Sequence, residues 1–157
     1  CEDIYNQYGL PTVLLVIAPK KVDKKHPFNK DFISKYISKI VSSYKFIEGF
    51  IFVKSANIVD NAQLCRDNGF EPVSLSCGTD RAESYKRMTS PKYREMANLS
   101  DYFIIIEIPR KDTDISGTMA RNVILDNRID VFEKITPKAI HSMFYKMKKY
   151  IEEVNEI

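Results

Sequence analysis

At 157 residues the chain suits a single domain that buries about two-thirds of the surface its unfolded form exposes. Its hydrophobic fraction of 44% and charged fraction of 29% exclude a disordered or low-complexity segment. A net charge of +3, left by 24 basic and 21 acidic residues, is too mild for a dedicated binder of duplex nucleic acid.

Cys1–Tyr8 reads as a short helix, in which Ile4 and Tyr8 have the i, i+4 spacing of a buried face. Thr12-Val-Leu-Leu-Val-Ile-Ala18 is β-branched and continuously apolar, the pattern of a strand covered on both faces. It is followed by a basic loop, Pro19-Lys-Lys-Val-Asp-Lys-Lys-His-Pro-Phe28, with five lysines by Lys30. A helix opens at Asn29 or Lys30, with Ile33, Tyr36, Ile37, Ile40, Val41 and Tyr44 on one stripe. Gly49–Val53 is the next strand, and Ile58–Asn68 the next helix, with Gly69 as its stop. Pro72–Cys77 is a third strand, ending in Gly78-Thr-Asp-Arg81. A helix over Ala82–Met88 and a short one started by Ser90-Pro91 come next. Tyr102–Ile108 is a fourth strand.

After a polar loop, Ser116 begins another helix, and Asp130–Ile135 forms a short one. From Pro137 to about residue 155, Ile140, Met143, Phe144, Met147, Tyr150, Ile151 and Val154 make a single apolar stripe opposite Lys146, Lys148 and Lys149. This amphipathic helix is expected to dock on the core. Strand–helix alternation over the whole length predicts an α/β fold with a doubly wound parallel sheet, and no internal domain boundary is visible. Neither apolar strand approaches the ~20 residues that span a bilayer, so no membrane contact is expected. Cys1, Cys65 and Cys77 are odd in number and without C-x-x-C spacing. That pattern argues against a disulfide framework or a cysteine zinc site and suggests a reducing, cytoplasmic setting. Cys77, inside an apolar strand, is expected to be an inert thiol.

In a doubly wound sheet, ligands bind beyond the carboxyl ends of the strands, near helix N-termini. Three segments there carry suitable residues. Ser116 is a good N-cap, Gly117 lets a ligand approach the backbone, and the first free amides make an anion site. Arg121, five residues on, can present a planar fork to a phosphate. The same Ser-Gly-Thr also serves as a plain helix cap. In the basic loop, Lys24 and Lys25 are the candidates for holding a triphosphate, against the alternative of a solvated charged loop. Gly78, Thr79, Asp80 and Arg81 are the third segment, where Asp80 can equally cap the following helix and Arg81 pair with Asp80 or Glu83.

Ile115-Ser-Gly-Thr-Met-Ala-Arg121 resembles the I-S-x-T-x-x-R signature of the nucleotidyltransferase superfamily, which includes nicotinamide-nucleotide adenylyltransferases and cytidylyltransferases. Gly78-Thr-Asp-Arg81 is similar to the G-S-D-R element of virus-encoded members, and the lysine loop before Pro27 to theirs. Pro109-Arg-Lys-Asp112, Phe132 and Pro137 fit in the same order. The resemblance implies a Rossmann-like fold and transfer of a nucleotidyl group from ATP or CTP to a small phosphorylated acceptor, with Mg²⁺ and release of pyrophosphate. It assigns Ser116, Thr118 and Arg121 to the triphosphate, and Gly78 and Asp80 to the nucleotide or acceptor pocket. The superfamily's H-x-G-H motif is absent, since the only histidines are His26 and His141. No catalytic residue and no metal ligand is therefore assigned.

That motif follows the central strand of the family's sheet, and this chain is expected to begin in the helix after it, with the strand upstream. The other expectation is a copy that kept the scaffold and lost catalysis, acting as an assembly module or virion component. Either a second copy or a virion protein would then be the partner, in the host cytoplasm or the particle. RNA binding by Lys86, Arg87, Lys92 and Arg94 is the weakest alternative, because no stacking aromatics are interleaved with them.

Overall fold

The computed structural model describes residues 1–111 and 114–156. They form a mixed α/β structure that divides into two compact units, Cys1–Lys54 with Ile115–Ile157, and Ser55–Asp114. The amino-acid pattern marks no boundary at either crossing.

In the first unit, α1 (Glu2–Tyr8) leads to β1 (Thr12–Val16), α2 (Lys30–Ser43) and β2 (Ile47–Phe52). Asn29 sits in extended backbone and its Oδ1 accepts from the Phe32 amide at 2.9 Å, which starts α2 where the cap was expected. The β1–α2–β2 crossover makes a parallel pair in which Val13 faces Gly49 and Val16 faces Phe52. The chain returns to this unit for α6 (Gly117–Leu125), α7 (Ile129–Ile135), a 3₁₀ segment (Lys138–Met143) and α8 (Phe144–Asn155). One core joins Phe32 of α2 to Val123, Ile124, Phe132, Ile140, Met143, Phe144, Met147 and Ile151. Phe32 stacks on Tyr150 with ring centroids 4.5 Å apart, and Phe132 meets Phe144 edge-on at 5.0 Å. The amphipathic C-terminal segment thus docks on the core as expected, although its first six residues wind as a 3₁₀ helix. Lys148 departs from the expected solvent stripe: its side chain is 24% exposed, and its Nζ reaches Asn127 Oδ1 at 3.3 Å and Glu152 at 3.8 Å.

The second unit runs α3 (Ile58–Asp67), β3 (Ser74–Gly78), α4 (Thr79–Met88), α5 (Pro91–Met96) and β4 (Ile104–Ile108). Asn57 Oδ1 accepts from the Val59 and Asp60 amides to start α3, and Gly69, at φ 84°, ends it. β3 and β4 pair in parallel, in register from Ser74 opposite Ile104 to Gly78 opposite Ile108. Their helices enclose Ile58, Ala62, Ala97, Leu99 and Phe103.

Among the described residues the strands pair as two two-stranded parallel sheets, so the α/β class and the parallel pairing hold. Several expectations need correction. The residues of β1 are half-buried throughout, and Ile17 is 58% exposed, where the apolar run suggested cover on both faces. Tyr102 lies outside β4, in a turn closed by the Phe103 amide donating to the Ser100 carbonyl, and is 90% exposed. Tyr8 is also exposed and Ile4 only half-buried, because no residue of the short α1 is covered fully. Among the described residues no helix is long and apolar enough to cross a membrane.

Candidate functional site

Ser116 caps α6. Its backbone is extended, its carbonyl accepts from the Ala120 amide at 3.0 Å, and its Oγ accepts from the Met119 amide at 3.0 Å. The amides of Gly117 and Thr118 bond to no other described residue, which leaves the first-turn donors that make a helix start attractive to anions.

Arg121 folds back over this turn. Its Nη2 donates to Thr118 Oγ1 at 3.0 Å, and its Nη1 donates to the Lys25 carbonyl at 3.0 Å. Ninety-six residues separate the two ends of that second bond. It joins the helix start to the basic loop, and so brings together Ser116–Arg121 and Lys24–Lys25, the two segments expected to hold a triphosphate. Gly117, expected to let a ligand approach the backbone, also lies close under Arg121. A Cβ there would sit 3.3 Å from Arg121 Nη1, so the bare backbone admits the guanidinium.

Among the described residues, Arg121, Lys20, Lys21, Lys24 and Lys25 form no ion pair. The one carboxylate of the loop, Asp23, is occupied locally. Its Oδ1 accepts from the Lys25 amide at 2.8 Å and the His26 amide at 2.6 Å, and lies 3.3 Å from His26 Nδ1. The His26 amide bond, foremost, holds the Asp23 carboxyl below the usual carboxylate range. Asp23 is a residue that motif reading missed. Its signal was the preference of Asp for turns in which its side chain bonds amides two and three residues ahead.

Gly78, Thr79, Asp80 and Arg81 belong to the other unit. Gly78 ends β3 and is itself the N-cap of α4, which starts at Thr79, three residues before the expected Ala82. Asp80 therefore lies in the first turn and makes no capping bond. Its Oδ1 instead leans over Gly78, 2.8 Å from where a Cβ would stand. Arg81 is exposed and forms none of the ion pairs expected with Asp80 or Glu83, since Lys86 takes Glu83 at 3.6 Å. Lys86 also reaches Glu107 at 3.7 Å, beside Cys77 in the β3–β4 register. Partial burial, with Glu107 and Asp80 next in order, pushes the Cys77 thiol up, away from a nucleophilic thiolate.

The histidines take structural places. His26 closes the Asp23 turn. His141 Nε2 is 3.0 Å from the Thr136 carbonyl; because that oxygen only accepts, Nε2 carries the proton. No group of three or more His, Cys, Asp or Glu that could hold a metal ion occurs among the described residues. Asp112, expected just before the signature, lies outside the described residues. A shallow hollow of about 370 Å³ lined by Ser38, Lys39, Ser42, Ser43 and Ala139 holds none of the candidate residues. Two of its hydroxyls, on Ser42 and Ser43, donate to their own helix backbone. Compared with family models, curated proteins and solved structures, the chain matches none.

Proposed function

We propose that this chain is a nucleotidyltransferase-like domain that binds a nucleoside triphosphate at the start of α6, with the Lys24–Lys25 loop as the opposing wall. The observation that carries the reading is the Arg121 guanidinium, which ties the Lys25 carbonyl to the Thr118 hydroxyl beside two first-turn amides. Fork-shaped cations and helix-start amides are the groups that receive phosphate oxygens.

In the reaction proposed, an acceptor phosphate oxygen bonds to the α-phosphorus of ATP or CTP. The bond from that phosphorus to the β-phosphate bridge breaks, and pyrophosphate leaves. Arg121 and the lysines would neutralise the departing charge, and the amides of Gly117 and Thr118 would orient it. Mg²⁺ would enter as the triphosphate's own counter-ion; among the described residues no group of three or more His, Cys, Asp or Glu gathers to hold it. The finer fold reading, one doubly wound Rossmann-like sheet, is supported by two parallel βαβ pairs whose strands each have one neighbour.

A second reading, an assembly module without catalysis, draws on the exposed apolar residues of the β3–β4 unit. Ile104, Ile108 and Tyr102 are 46%, 47% and 90% exposed. Calorimetric titration with magnesium ATP and magnesium CTP separates the two. Arg121→Ala should weaken binding at least about tenfold, the worth of a lost charge-assisted hydrogen bond. Its melting temperature should stay close to that of the parent, because both Arg121 bonds lie at the surface. Absence of triphosphate binding together with concentration-dependent self-association would favour the second reading.

A further inference from the structure

The bond from Arg121 to the loop is made to a main-chain carbonyl, so it requires the loop to hold one shape. That shape is a four-residue turn. The Asp23 amide donates to the His26 carbonyl at 3.1 Å, and the His26 amide donates to the Asp23 carbonyl at 3.1 Å. Across this turn the Asp23 carboxylate accepts from the amides of Lys25 and His26 and faces the His26 ring. Lys24 and Lys25 are the two exposed central residues of the turn. Immediately afterwards the chain is anchored: Pro27 is buried, and Phe28 packs on Phe32 at 5.2 Å and on Tyr36 at 5.9 Å between ring centroids.

We propose that Asp23 is a positioning residue for triphosphate binding: it folds the loop so that the Lys25 carbonyl meets Arg121 and the Lys24–Lys25 tip stands beside the α6 start. The inference rests on the triphosphate reading of that site. The charge of Asp23 works against an anion, because a carboxylate among Lys20, Lys21, Lys24 and Lys25 lowers their attraction for phosphate. Only its hydrogen bonds help. Charge and geometry therefore predict opposite signs for the same substitution.

The test uses the full chain and magnesium ATP and magnesium CTP as probes, with parent, Asp23→Ala, Asp23→Asn and Arg121→Ala compared by calorimetry. Asp23→Ala should bind about threefold to tenfold more weakly, corresponding to the loss of one or two amide hydrogen bonds. Asp23→Asn keeps an acceptor oxygen without the charge and should bind at least as tightly as the parent. Asp23→Ala binding as tightly as the parent, or tighter, overturns the proposal.

Failure of the underlying reading looks different, since Arg121→Ala would then bind like the parent, or the parent would bind neither nucleotide. The turn is read separately by trypsin cleavage after Lys24 and Lys25, located by mass spectrometry. Cleavage there should be several-fold faster in Asp23→Ala and Arg121→Ala and unchanged in Asp23→Asn. Equal rates in all four proteins overturn the positioning role, whatever the nucleotide does.

Discussion

Arg66 should be worth more to the stability of its unit than its ion pair suggests, and replacing it by Met separates the two contributions. Its guanidinium pairs with Glu71, with Nε 3.1 Å from Oε2 and Nη2 3.3 Å from Oε1, but that carboxylate is 64% exposed. Its other bonds run more than thirty residues along the chain. Nη1 donates to the Ala97 carbonyl at 2.7 Å and Nη2 to the Asn98 carbonyl at 2.8 Å, at the end of α5, where Asn98 takes a left-handed φ of 50°. Ala97 is 2% exposed, so its carbonyl has little access to water once the guanidinium is gone. An exposed pair contributes about 0–1 kcal/mol. A charge-assisted bond to a carbonyl contributes about 1.5–3 kcal/mol, with the Asn98 bond at the low end because water can replace it. Arg66→Met, which keeps the apolar stem, should therefore cost about 2–4 kcal/mol, and Glu71→Gln under about 1 kcal/mol. Urea denaturation followed by circular dichroism at 222 nm reads both. Equal costs for the two variants, or an Arg66→Met protein within about 0.5 kcal/mol of the parent, would refute the assignment of the stabilisation to the carbonyls.

Two further outcomes can be checked without nucleotide. Iodoacetamide at pH 8 should alkylate exposed Cys1 first and Cys65 last: burial raises the Cys65 thiol, and only 9% of the residue is exposed, while Cys77, raised by burial and then by Glu107 and Asp80, should react in between. Mass spectrometry of the digest gives the order, and early modification of Cys77 would contradict it. The Asp23 turn should also report its own titration. Because the carboxyl is lowered in the folded chain, its contribution to the turn is complete above the ordinary carboxylate value and is lost as pH falls through the lowered one. The Lys25 and His26 amide resonances should consequently move with a midpoint below that of an unstructured peptide, and a midpoint at or above it contradicts the turn.

Much of this architecture is legible in the residues because the signals are local. Asn29, Asn57 and Ser116 are short polar side chains placed before apolar periodic runs, and all three accept first-turn amides. Gly69 ends α3 with a positive φ, and the 140–154 stripe forms one wall of a core. What was not legible depends on neighbours distant in the chain. A continuous apolar run shows what a strand can bury and not which distant helices lie over its faces, so it could not reveal that β1 is only half covered. The boundaries at 54/55 and 114/115 follow from which helices share a core, not from any change in composition.

At the candidate site, motif spacing picked out Ser116, Gly117, Thr118 and Arg121, but not that Arg121 would grip the main chain of Lys25 from ninety-six residues away. Asp23 was passed over because its role lies in the turn it folds, and a single charge inside a lysine-rich loop reads as solvation.

The most direct measurement is a two-dimensional amide proton–nitrogen spectrum of the labelled chain titrated with magnesium ATP and magnesium CTP. Saturable shifts of the Gly117 and Thr118 amides, moving together with Lys24 and Lys25 and abolished in Arg121→Ala, are the predicted result. Spectra in which these four amides stay fixed at millimolar nucleotide, or in which the same shifts persist without Arg121, would contradict the assignment of a triphosphate to the start of α6.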